Sequence, residues 1–254
     1  MSNEPSPPDP GQPRELNLQK TANQFMAAVQ RHFDLLAFNL ASRENASETA
    51  YNSHIRAAGI MPVPQIHQNF EQMQAHARDL LLRQVLNDAL NLSVSCLNNS
   101  HLFLALIKEQ KASGSKDLSA DQQEAARSSQ NAFVKLRLEQ KFDLLESRYS
   151  VLCPLEDSLV SLAFALKILM SQAGIVKKDQ LDDEGLLQIE LASATNSIAS
   201  VPDLQDANIQ WVTRSFRETD RLSFSDSDLQ NIVLTVGVFA RQTFASVAKF
   251  ARDS

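Results

Sequence analysis

Glycine is nearly absent from this chain. Six occur in 254 residues, and five long stretches carry neither glycine nor proline. Those two residues cost a helix interior the most, glycine through backbone entropy and proline through a missing N–H and a steric clash. A chain that avoids them over long stretches folds as helices, so the expected class is mainly α: an antiparallel helical bundle.

Apolar spacing places the helices. Phe25, Val29, His32, Phe33, Leu36 and Leu40 recur three and four residues apart and predict a helix over 18–42. A weaker helical segment over 47–58 is ended by Gly59 and the two prolines of "MPVP". The next helix starts after Pro64 and continues to Lys111, with Phe70, Met73, Leu81, Val85, Leu97 and Leu104 on its buried side. Forty-odd residues would span about 65–70 Å at the usual rise. A bend or break near "NNS" at 98–100 is therefore expected, and an overhang could pack on a second subunit. A polar loop then precedes a third long helix over 119–148, and "CP" at 153–154 interrupts.

The run "SLAFALKILMSQAGIV", 161–176, is almost wholly apolar, with Lys167 in its middle. It falls short of the ~20 residues a bilayer requires, and a central lysine would cost a few kcal/mol there. No membrane association is expected; the run reads as a helix buried on most of its faces. After Gly174 the pattern alternates. "GLLQIELASAT" reads as one strand, and "QWVTRSFRETDRLSFS" as two short strands around the turn "ETD", which predicts a small antiparallel sheet within 186–224. A last helix opens at Ser225 and Asp228, a capping-box pair with Asp in place of the usual Glu or Gln.

Charge and cysteine usage narrow the function classes. The net charge of −6 gives no general attraction to phosphate backbones. Cys96 and Cys153 form no CxxC pair and sit among apolar residues, which points to buried thiols in a reducing cytoplasm. Residues 1–14 are proline-rich and polar, the composition of a disordered tail, so a single domain is expected over 15–254. The phosphate-loop, HExxH and EF-hand patterns are missing, and no metal or cofactor is expected. Five histidines are scattered, and His32 falls on an apolar stripe, as a core or edge histidine does. Lys135, Arg137 and Lys141 make a small basic cluster, readable as a solvated surface or as phosphate contacts.

Three segments carry a family resemblance: "FVKLRLEQKFDLLESRY", the helix ending "ALKILMSQAGIVKKDQL", and "WVTRSFRETDRLSFSDSDLQNIV". In this order they resemble a HEPN-type protein (higher eukaryotes and prokaryotes nucleotide-binding). Catalytic HEPN proteins carry an Arg and a His four to six residues apart on the middle helix, and active members are usually homodimers with two such helices facing across a cleft. On the register set by Ala165 and "GIV" at 174–176, Leu166 stands for the Arg, Lys167 for an Asn and Ser171 for the His. Leucine stabilises no developing charge, and serine without a neighbouring base is no acid or base near neutral pH. The resemblance thus implies a disabled site: a non-catalytic, homodimeric binding or interaction module, with RNA or a nucleotide as the ligand class. The 161–176 helix and the long second helix would form the interface. The alternative is a ribonuclease with a non-standard site, using Lys167 and a histidine from another helix, His76 or His101.

Overall fold

The computed structural model describes residues 17–57, 69–115, 117–194 and 209–253. Seven α-helices and two strands occur among them: α1 Leu18–Glu44, α2 Glu48–Ala57, α3 Phe70–Ser113, α4 Ala120–Val134, α5 Leu138–Tyr149, α6 Glu156–Ser171, β1 Leu187–Ala194, β2 Ile209–Phe216 and α7 Asp226–Arg252. The fold is mainly α, with a two-stranded antiparallel sheet before the last helix. The tail over 1–14, Gly59 and the prolines after α2 lie outside the described residues.

Helix α7 is the centre. Residues 232–240 are buried without interruption, so every face of those two and a half turns is covered. Its start is fixed by the Ser225–Asp228 box: Ser225 N–H donates to Asp228 Oδ2 (2.8 Å), and Asp228 N–H to Ser225 Oγ (3.2 Å). Burial opposes ionisation of Asp228. The Arg214 guanidinium and the two Ser225 donors outweigh it and hold the carboxyl below its ordinary range.

Against α7, α1 runs antiparallel, with Arg43 at Asp226 and Phe25 at Phe244, and α3 runs parallel, with Arg78 at Phe224 and Lys111 at Phe250. One end of the bundle is tied by arginines: Arg43 of α1 pairs with Asp226, Arg78 of α3 donates to Phe224 O (2.9 Å), and Arg221 pairs with Asp79. At the other end α3, α5 and α7 all terminate together. There Lys111 Nζ donates to Phe250 O (3.0 Å), and the Tyr149 and Phe250 rings meet edge to face at 5.9 Å. Lysines and arginines at this end answer the negative ends of three helix dipoles.

The long helix α3 does not break at "NNS". It continues through 98–100, where Ser100 and the following His101 are fully buried and Asn98 takes part in a polar network described below. Its 44 residues end at Gly114, which adopts φ +65°, a left-handed cap that glycine accepts without strain. The expected third long helix is two. Lys135 closes α4, Arg137 turns to extended backbone, and Gln140 Oε1 accepts from Arg137 N–H (3.0 Å) to start α5.

The sheet pairs Leu187 with Phe216 through Ala194 with Ile209. Ala192 N–H, on the edge of β1 away from β2, donates to Thr235 Oγ1 on α7 (2.9 Å), which fastens the sheet to the central helix. The segment after "ETD" does not form the third strand expected. It contributes one bridge, Arg221 to Ile175, with Leu222 N–H donating to Gly174 O (2.8 Å). Helix α6 is less enclosed than its composition suggests. It buries one stripe (Ser158, Leu159, Leu162, Ala165, Ile168, Leu169) and leaves Met170 67% exposed. By length and composition α3 and α7 could each cross a membrane, yet 67% of the most apolar window of α7 is buried inside the fold.

Candidate functional site

Three places combine access or chemistry in different proportions: the outer side of α6, a polar network between α3, α4 and α5, and a groove between α1 and α3.

On α6, Leu166 is half-buried against the core, and Lys167 and Ser171 are exposed. Ser171 Oγ donates to Lys167 O one turn back (2.7 Å), a bond that occupies the hydroxyl proton within its own helix. The cleft that forms on α6 is at its other end. Asp157, Ser158 and Ser161 line it with Gln188, Glu190 and Thr213 of the sheet, in a volume of about 260 Å³. Its surroundings are acidic. Burial raises the Glu156 carboxyl above its ordinary range, and Asp143, Asp157, Glu146 and Glu139 raise it further. Such a surface repels phosphate.

The richest chemistry is inside. His101 has no solvent exposure and stacks on Phe133, centroids 4.1 Å apart and planes within 7°. Gln130 Nε2 donates to Asn98 O (3.0 Å), which turns Gln130 Oε1 toward His101 Nδ1 at 2.7 Å. That acceptor places the ring proton on Nδ1 and leaves Nε2 to accept, with Tyr149 Oη at 3.4 Å and Ser129 Oγ at 3.5 Å. Burial lowers the His101 pKa; the Gln130 bond opposes this, and Arg148 and Lys141 add to it. The histidine is neutral at pH 7 and sealed from substrate.

Lys141 belongs to the same network. Its ammonium donates to Phe133 O (2.5 Å), Val134 O (3.2 Å) and Asn98 Oδ1 (2.9 Å), and it lies 4.3 Å from the centre of the Phe133 ring. All three protons are used. The side chain caps the end of α4 from the first turn of α5, and burial lowers its pKa. The basic cluster read from the sequence is therefore divided: Lys135 and Arg137 are exposed on the turn between α4 and α5, and Lys141 is 1% exposed. The spacing of four between Arg137 and Lys141 describes one helix face, but Arg137 precedes the helix and Lys141 turns inward.

Of the two histidines considered as partners for Lys167, His101 is enclosed by Phe133, Tyr149, Gln130 and Ser129. His76 is exposed near the start of α3, one turn before Asp79. Cys96 and Cys153 are buried free thiols; burial raises both, Cys153 to about 11, so neither is a nucleophile at neutral pH. Among the described residues no group of three or more His, Cys, Asp or Glu could hold a metal ion.

The groove between α1 and α3 was not read from the sequence. Leu35, Leu36, Leu81, Val85 and Leu92 line it, and Val233 and Val236 of α7 form its floor. His32 Nδ1 lies 3.6 Å from Asp88 Oδ2 at its edge. Leu35 (48%), Phe38 (69%) and Leu80 (48%) are exposed beside it. The available signal was the presence of Leu35 and Phe38 off the buried stripe of α1.

No family model, characterised protein or solved structure matches the chain.

Proposed function

We propose that this chain is a non-catalytic, HEPN-like helical interaction protein that acts as a homodimer in the cytoplasm, with RNA or a nucleotide as its ligand class. One observation carries the non-catalytic reading. The exposed turn of α6 offers a lysine, a thioether and a hydroxyl bonded to its own helix, without the Arg and His of the HEPN signature. Buried thiols without a disulfide support a reducing compartment. Exposed leucine and phenylalanine beside the α1–α3 groove support a role in association.

The test is RNA cleavage by the wild type beside Leu166→Arg/Ser171→His. A positioned acid or base commonly contributes about 10²- to 10⁴-fold, and Leu166 and Ser171 do not supply one. Wild type is expected at buffer background, with weak cleavage gained by the double variant. Cleavage by wild type that is abolished by Lys167→Ala or His76→Ala would establish the ribonuclease alternative instead.

A further inference from the structure

The outer face of α1 has a pattern that only a second copy of the same helix completes. Four exposed residues of this face, Ala27, Arg31, Asp34 and Phe38, are spaced four, three and four residues apart. That spacing is the same read in either direction. An antiparallel copy laid on it, with residue i opposite residue 65 − i, sets Arg31 against Asp34 and Phe38 against Ala27, each pair occurring twice. Opposite charges meet opposite charges, and the largest side chain meets the smallest. Ala28, Ala37 and Ala41 flank the stripe and permit close approach of the two helices.

Two further observations fit a symmetric partner. Phe38 is the most exposed large apolar residue of the described chain at 69%, and it forms no ring contact among the described residues. The His32–Asp88 contact, with Arg43 and Arg78 converging on Asp226, makes α1 antiparallel to α3. That alignment brings Leu35 and Phe38 alongside Leu80 and Leu81 at one end of the groove. The apolar patch therefore surrounds Phe38, and an isologous contact presents it on both copies.

We infer that two copies of this chain associate through α1, antiparallel about a two-fold axis between residues 32 and 33, with Arg31–Asp34 ion pairs at the centre and Phe38 over Ala27 on either side. The inference rests on the homodimer reading above and moves the contact from α6 and α3 to α1. A contact of this kind falls at the small end of specific interfaces, below about 1,200 Å² in total, so association is reversible and concentration-dependent.

Sedimentation equilibrium of the full chain from about 1 to 200 µM tests it, the range in which a reversible dimer of this affinity titrates. Wild type is expected to pass from one to two chain masses. Phe38→Glu should weaken association at least about tenfold, equal to about 1.4 kcal/mol. Arg31→Asp leaves four carboxylates and no cation across the centre and should weaken it to a similar extent. Arg31→Asp/Asp34→Arg restores opposite signs in the same register and should recover most of the loss. All three positions are exposed, so the variants keep the helical circular dichroism of wild type. If wild type dimerises and Phe38→Glu and Arg31→Asp associate equally well, the α1 contact is wrong and the homodimer reading survives through another surface. If the double reversal fails to recover what Arg31→Asp loses, the register is wrong. A single chain mass throughout overturns both this inference and the homodimer reading.

Discussion

Lys141 and Lys167 make an instructive pair. Each is the single lysine of its helix. Lys141 is 1% exposed and donates all three protons to acceptors from α3 and α4. Lys167 is exposed on α6, and the nearest described hydrogen bond is that of Ser171 to its backbone carbonyl. Around Lys141 lie a histidine, a tyrosine, an asparagine and a glutamine in hydrogen-bonded order, the parts an active site would use, with no route for substrate. Around Lys167 there is access without those parts. Chemistry needs both. The difference between the two regions is what separates a structural polar network from a disabled or absent site.

The comparison breaks first at Lys141. Removing its ammonium strands two carbonyls at the end of α4 and the Asn98 amide oxygen, each buried acceptor costing about 1–3 kcal/mol, with a cavity added. Lys141→Ala should therefore lose about 3 kcal/mol or more in urea unfolding. A loss under 1 kcal/mol would mean that the ammonium is hydrated and the network open.

A smaller effect sharpens the same region. The folded-state pKa of His101 is lowered from the ordinary 6.5. The unfolded chain thus binds a proton that the folded chain refuses, and stability falls as pH drops below about 6.5. Between pH 7.5 and 5.5 the wild type should lose on the order of 1 kcal/mol more than His101→Asn, measured by urea unfolding at both values. Equal pH dependence in the two would contradict a buried neutral ring.

The smallest effects belong to α6. Lys167→Ala and Ser171→Ala should each change stability by less than about 0.5 kcal/mol, as exposed substitutions away from the core do. A loss above 1 kcal/mol at Lys167 would reveal a partner and bring the two lysines closer in kind.

Much of the fold was legible. Scarcity of glycine and spacing of apolar residues placed α1, α2, α6 and α7 closely, and the Ser225–Asp228 box was found where the sequence set it. The unbroken α3 was not, because "NNS" has poor helix propensity and its compensation comes from Gln130 and Lys141, more than 25 residues away in sequence. The break after α4 was missed for the complementary reason: "KLR" is a good helical stretch locally, and the turn is held by the inward-facing Lys141. At the candidate sites, periodicity could sort Leu36 from Leu35 but could not tell that Phe38 stays 69% exposed. Nor could it show that His101 and Tyr149, 48 residues apart, share a hydrogen bond.

The enclosure of His101 is the claim on which the contrast between the two lysines depends. Titrating its Cε1–H resonance by NMR from pH 8 to pH 5 tests that enclosure in the intact chain. The account predicts a ring that stays neutral through that range with the proton on Nδ1. A shift with an ordinary midpoint near 6.5 would contradict it, because such a ring meets water and could meet a substrate.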